Sequence, residues 1–597
     1  MNDRAAGTHT AIGDLPGWDL RDLYPAADSP ELETDLKQAE TAAGEFASEY
    51  TGQLAALDGD GLAGAIARYE AVYETLSRVM SYASLMHAGN VTDTDISRFF
   101  QTMQERVNAI STTLLFFGLE INRIDDDRLE AQLASPALAR YRPWLRDTRA
   151  ARQFQLSDEI EKLLHEKQVA GRTSWMRLFD QTLAELRFPM QGRDLTETEI
   201  LHLLSDPDAA TRKEAAQSFG TVLGDNVKIF ALVTNTLAKE KEIEDRWRGF
   251  ARPISARNLA NFVEDDVVDA LIGSVRDAYP RLSHRYYKLK AGWFGTETID
   301  YWDRNAPFPD EDDRVIPWRE ARETVLDAYG AFSGELAGIG RRFFENDWID
   351  AAVRPGKAAG AFSHPTVPSA HPYLLLNYQG RIRDVMTLAH ELGHGVHQVL
   401  SGQQGHLMAN TPLTLAETAS VFGEMLTFRS MLAATTDPKA RRVMLAGKIE
   451  DMLNTVVRQV AFCEFERRVH DERRDAELTP DRLGEIWMDI QRESLGPALN
   501  LHDEYRHYWS YIPHFIHTPF YVYAYAFGDC LVNSLYSVYQ GAESGFADKY
   551  LEMLSAGGTM RHRELLAPFG LDASDPTFWS RGLSVIEGFI GEFEAAL

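Results

Sequence analysis

Residues 390 to 394 read His390-Glu391-Leu392-Gly393-His394, two imidazoles four positions apart with a carboxylate beside the first. In a helix, residues four apart lie one turn above each other. Both rings can therefore converge on one zinc ion at about 2.0–2.1 Å. Glu391 falls on the same arc of the helix, where it reaches a water at the open coordination position without ligating the metal. This pattern points to metal-assisted hydrolysis with Glu391 as the general base. A catalytic zinc needs three protein ligands and one vacant position. Downstream, Leu415, Val421, Phe422, Met425 and Leu426 make an apolar helical stripe over 415–428 that also carries Glu417 and Glu424. A carboxylate on an apolar face is costly unless it is paired or bound to metal. Glu417 is accordingly the expected third ligand, and Glu424 the expected acceptor for the outward N–H of a ligand histidine. Asp384 is expected to cap the first helix or to orient a ligand. His397 continues the histidine face and reads as a core or supporting group rather than a ligand.

These side chains need a helix, and Leu388, Leu392, Val396 and Val399 recur at helical spacing over 387–401. Gly393 and Gly395 weaken that helix by up to about 1 kcal/mol each relative to Ala, but their small size lets another element come close. Just upstream, Leu374, Leu375 and Leu376 lie in a short apolar run bounded by Pro372 and Gly380, which predicts a strand. Its edge is the expected place for an extended peptide to pair through main-chain hydrogen bonds. The remaining chain is mostly helical in period. Ser29-Pro30 is an N-cap followed by a first-turn proline. Thr196 with Glu199 is a capping box, and 62–186 reads as several long amphipathic helices. The helical period breaks at Phe188-Pro189-Met190-Gln191-Gly192. That break predicts an N-terminal helical domain over 1–195 and a catalytic domain over 196–597.

The composition narrows the function classes. The 597 residues are 44% hydrophobic and 25% charged, with a formal net charge of −28. A chain this acidic repels phosphate backbones and anionic membrane surfaces, so neither nucleic acid nor membrane is an expected partner. Two cysteines, Cys463 and Cys530, exclude a disulfide framework and a four-thiolate zinc site. Residues 1–20 are polar, with Asp3, Arg4 and Asp14, and lack the apolar core of a signal peptide. The apolar run at Leu114-Leu115-Phe116-Phe117 is far shorter than the roughly 20 residues of a membrane span. The expected location is the cytoplasm.

Residues 505–529 are dense in aromatics, among them Tyr505, Tyr508, Tyr511, His514, Tyr521, Tyr523 and Tyr525. Such a stripe builds core, yet phenols and imidazoles near Pro513 and Pro519 also supply donors to the oxygen that becomes anionic in peptide hydrolysis.

The 390–394 motif, followed by Glu417-Thr418-Ala419-Ser420, resembles the thimet oligopeptidase family of zinc peptidases, in its oligoendopeptidase F branch. The resemblance extends to Trp18-Asp19-Leu20 with Leu23-Tyr24-Pro25, to Tyr301-Trp302-Asp303 with Ala306-Pro307, and to Gly360-Ala361-Phe362. It implies a mainly α fold, with two helical lobes around a deep substrate channel and a small β-sheet next to the zinc-binding helix. It implies one Zn2+ per chain and an endopeptidase acting on short unstructured peptides. It further implies histidine and tyrosine donors in the C-terminal loop, here His514, Tyr521 and Tyr523, with Tyr525 as the alternative. Two other readings use the same residues: an exopeptidase on the same zinc chemistry, and a non-catalytic zinc-containing peptide-binding protein. Glu391 argues against the last, since a structural metal site needs no base.

Overall fold

The computed structural model describes residues 12–308, 314–541 and 544–597, so Asp3 and Arg4 of the polar N-terminal stretch lie outside the described residues. The fold is mainly helical, with small sheets of two or three strands. Local signals start the helices where the sequence places them. The Ser29 hydroxyl accepts from the Leu32 amide at 3.3 Å, and the helix Pro30–Tyr50 buries Leu32, Leu36 and Ala39. Thr196 and Glu199 form both arms of a capping box at Glu197–Leu203. Within 62–186 the long helices are Gly59–Gly89 and Thr94–Arg123. Among the described residues no helix is long and apolar enough to cross a membrane.

The chain forms two compact units, each assembled from three stretches. One comprises Met1–Arg152, Asp313–Ala434 and Gly541–Gly570, the other Gln153–Asp312, Thr435–Gln540 and Leu571–Leu597. The 195/196 division expected from the sequence falls inside the second unit.

In the first unit the three N-terminal helices pack on one another, with Phe46 edge-on to Phe117 at 5.1 Å. A three-stranded sheet follows, built from β1 (Ile349–Asp350), β2 (Phe362–His364) and β3 (Tyr373–Leu375). Its order is β1-β3-β2. β3 runs parallel to β1, pairing Ile349 with Leu374, and antiparallel to β2, pairing Ser363 with Leu374. This corrects the expectation for Leu374, Leu375 and Leu376. They form the middle of the sheet, are at most 2% exposed, and spend the Leu374 and Leu376 amides on the carbonyls of Trp348 and Asp350. A strand paired on both sides has no edge for a peptide; among the described residues the outer edge on that side belongs to β2.

A buried ion pair closes the sheet. The Asp350 carboxylate meets Arg354 and the Lys357 ammonium, the latter at 2.9 Å, and Lys357 also donates to the carbonyls of Ala352 and Leu376. The Trp18-Asp19 motif packs on the same sheet: Tyr373 donates its hydroxyl to the Asp19 carbonyl at 2.7 Å, and Trp18 lies edge-on to the Tyr373 ring.

The second unit is organised around the 40-residue helix Ala209–Arg248, against which Val457–Asp475, Pro480–Leu495 and the turn Asp503–Tyr511 pack. Its interior carries a buried ion pair of its own, Lys290 with Glu450 at 2.6 Å.

Candidate metal centre

The centre is assembled on two helices of the first unit, α1 (Ile382–Ser401) and α2 (Thr418–Ala434). α1 begins with a cap supplied from one side, by Asp384. Asp384 sits in its first turn rather than at the N-cap, and its carboxylate accepts the amides of Gln379 at 2.9 Å and Arg381 at 3.0 Å. Those amides belong to the chain entering the helix, and the carboxylate satisfies both. Asp384 thus orients α1 itself.

His390 and His394 project from α1 one turn apart, with ring centroids 4.9 Å apart. The continuous helix expected over 415–428 is broken. A short helix Leu413–Ala416 ends at Glu417, and α2 starts at Thr418. The break places the Glu417 carboxylate against both rings: its Oε2 lies 3.4 Å from Nε2 of His390 and 3.4 Å from Nε2 of His394. One ligand atom from each of the three residues fits within 4.8 Å of the others. Tetrahedral bonds of about 2.0–2.2 Å put ligand atoms roughly 3.3–3.6 Å apart. The two measured separations fit that geometry, and two imidazoles with one carboxylate are a donor set suited to zinc.

Close helix packing makes this possible. A Cβ on Gly393 would stand 2.5 Å from the Ala419 carbonyl oxygen and 2.6 Å from the Ser420 Cα, so the α1 and α2 backbones touch at this glycine. On Gly395 a Cβ would meet the Phe343 ring at 2.6 Å. Tyr329 donates its hydroxyl to the Ala389 carbonyl at 2.6 Å, pinning the turn before the first histidine.

Around the three residues the polar partners are specific. Glu424, two turns along from Glu417, places Oε2 3.3 Å from Nδ1 of His390. Ser420 donates its hydroxyl to Glu417 Oε2 at 2.7 Å. Burial alone would raise the Glu417 carboxyl, but the hydrogen bond and charge of His394, the charge of His390 and the Ser420 hydroxyl bring it down to about 2. Burial likewise opposes the charge on His390, and the carboxylates of Glu424 and Glu417 overcome it, lifting the ring to about 9. Glu391 is 8% exposed, and burial raises its carboxyl despite the opposing fields of His390 and His394. A carboxylate in such surroundings has the raised basicity that a general base requires. The backbone N–H of Ser363, on β2, also bears on Glu391. His397 is buried, with Nε2 3.2 Å from the Thr411 hydroxyl, and burial lowers it to about 4. It is a neutral internal group. Beside His394 opens a cavity of about 520 Å³ whose walls include His371, Gln398 and Asn410.

The aromatic candidates belong to the second unit. His514 and Tyr521 are partly exposed, with ring centroids 6.1 Å apart, and the Tyr525 hydroxyl lies 3.5 Å from His514 Nε2. Tyr523 is different. It is fully buried, and its hydroxyl accepts from Asn261 Nδ2 at 2.8 Å.

Residues 336–585 match Peptidase family M3, and residues 120–188 match the N-terminal family described as Oligopeptidase F. The first match contains the whole His390–Glu424 constellation. The chain is a metallopeptidase. The chain is 26% identical over 593 residues to the Oligopeptidase PepF of Bacillus subtilis, covering 97% of its own length and 87% of that protein. Its fold matches a crystal structure from Chlamydophila abortus with a TM-score of 0.88 at 22% identity, covering 97% of this chain and 98% of that one. It also matches oligoendopeptidase-F from Enterococcus faecium with a TM-score of 0.70 at 23% identity, covering 95% and 97%. In this metallopeptidase, Ser420 and the Ser363 amide contribute to the site without any spacing signal in the sequence. Tyr329 lies sixty positions before its acceptor Ala389 and carries none either.

Proposed function

We propose that this metallopeptidase belongs to peptidase family M3 as an oligoendopeptidase of the F branch, hydrolysing internal bonds of short unstructured peptides with one zinc ion held by His390, His394 and Glu417. The observation that carries the reading is the equal 3.4 Å spacing of Glu417 Oε2 from both histidine Nε2 atoms, with Glu391 as the next residue of the same turn. Bound there, zinc supplies Lewis acidity, lowering the pKa of water from about 15.7 toward 7 and polarising a carbonyl oxygen. Glu391 takes the proton from the attacking water and returns it to the leaving amine. Glu424 holds the His390 ring by its Nδ1, and Ser420 steadies Glu417. The outer edge of β2, where the Ser363 amide faces Glu391 and its carbonyl accepts from Gln398 Nε2 at 3.4 Å, is the proposed place for main-chain pairing with an extended peptide once those side chains give way. His514 and Tyr521, with Tyr525, are the donors proposed for the carbonyl oxygen as it gains charge. Tyr523, buried against Asn261, supports their loop.

The test uses a fluorogenic peptide blocked at both ends. Cleavage that stops on chelation and returns with zinc, yielding internal fragments by mass spectrometry, is the expected result. Glu391→Gln should retain zinc yet lose about 10²–10⁴-fold or more in kcat. Cleavage persisting after complete metal removal, or restricted to peptides with free ends, overturns the reading.

A further inference from the structure

A cavity of about 210 Å³ lies wholly within the second unit and shares no residue with the metal centre. Three segments wall it. The turn Tyr301–Asp303 leads into Arg304, the helix Val457–Asp475 brings Arg458, and the turn Asp503–Tyr511 brings Tyr505, Tyr508 and Tyr511. Trp487 completes the aromatic lining.

The polar groups in this recess are cations and donors without anions. The Arg458 guanidinium lies 5.0 Å over the Phe462 ring and donates to the Tyr511 hydroxyl at 3.4 Å. Arg304 faces the phenols of Tyr505, Tyr287 and Tyr511. The carboxylate bearing on it, Glu450, is already held by the Lys290 ammonium at 2.6 Å and the Tyr286 hydroxyl at 2.9 Å. Among the described residues neither arginine forms an ion pair with a carboxylate. The Trp487 indole nitrogen is buried and finds no acceptor. Two half-buried guanidiniums lining one aromatic recess leave forked donors that an anion would complete. In a chain with 89 acidic residues, neutralising them internally required only one further glutamate or aspartate, and none stands there.

We propose that this recess binds a small carboxylate that carries an apolar or aromatic group and an acylated amine, the chemistry of a peptide's C-terminal residue. The guanidiniums of Arg304 and Arg458 take the carboxylate, for which their forked donors are suited. The phenol and indole walls take the apolar group. A free amino acid has the same carboxylate but adds an ammonium that the two arginines repel, so it binds more weakly.

Tryptophan fluorescence of the full chain tests this, because Trp487 and Trp302 line the cavity. A chelator is kept present so that carboxylate binding to metal contributes nothing. N-acetyl-L-phenylalanine should give a saturable change. N-acetyl-L-phenylalaninamide, which lacks only the charge, and free L-phenylalanine should each bind about tenfold or more weakly. Inorganic phosphate should bind more weakly than the acid, having nothing for the aromatic walls. Arg304→Gln should abolish the signal. Arg458→Gln, at a half-exposed position that spares the fold, should weaken it about tenfold. Equal binding of acid and amide, phosphate binding as tight as the acid, or no saturation by about 10 mM overturns the proposal. The ligand series in the unsubstituted protein decides it even where a variant fails to fold.

Discussion

His390 Nδ1 lies 3.3 Å from a carboxylate oxygen of Glu424, a residue 34 positions later in the chain. When the ring gives up its second proton to a metal, this contact keeps the remaining proton on Nδ1 and leaves Nε2 free at the shared ligand position. Removing the acceptor frees the ring to rotate. Glu424→Ala should lower zinc affinity about 10–100-fold, measured by competition with a chromogenic chelator, and excess zinc should restore much of the lost activity. Unchanged affinity would show that α1 packing alone holds the ring.

The contact between α1 and α2 at Gly393 makes a second prediction. Gly393→Ala drives a methyl group into the backbone at Ala419 and Ser420, which no rotamer change relieves. Because Ser420 holds Glu417, the strain should reach the centre. Stability should fall by about 1–3 kcal/mol in urea unfolding, with a parallel loss of bound metal. Gly588→Ala, where the added carbon meets nothing within 4 Å, is the control and should be neutral or slightly stabilising.

Lys357 is fully buried and gives all its donors to Asp350 and three carbonyls of the sheet. Truncating one member of a buried pair strands the other charge. Lys357→Ala should cost about 3–5 kcal/mol at neutral pH, seen as a lower urea midpoint. A loss below the effect of a surface lysine would mean that Arg354 alone suffices for Asp350.

Glu466 predicts a pH dependence. Burial pushes its carboxyl up to about 8, against the pull of the Phe520 amide, which donates to it at 2.8 Å. In the unfolded chain a glutamate titrates near about 4.3. Between these values the folded state keeps a proton that the unfolded state releases, so this group's contribution to stability falls as pH rises from about 4.3 to 8 and then levels. Glu466→Gln, which preserves the acceptor for Phe520, removes that slope. Thermal midpoints at pH 5 and pH 8 should show the variant gaining on the parent at the higher pH. A difference that stays constant across the range would contradict the assignment.

The pairing of His390 and His394 was legible because its geometry is local: four positions along a helix bring two rings together whatever surrounds them. Glu417 was legible for a different reason, the cost of leaving a carboxylate among Val421, Phe422 and Met425 without a partner. The helix caps at Ser29 and Thr196 are equally local. The break at Glu417 was not visible, because the apolar period runs through it and only contact with α1 turns the carboxylate toward the histidines.

What the sequence by itself determined is therefore the helical character of the chain, the spacing of its metal-binding candidates and the carboxylate beside them. Tertiary structure alone decided which strand owns the sheet edge, which tyrosine of 521–525 is buried, and that Arg304 and Arg458, 154 positions apart, line one cavity. The physical reason is range. Helical periodicity acts over a few residues, whereas strand neighbours, burial of one phenol and the meeting of two cations depend on which distant segments pack together, and no short window of sequence records that.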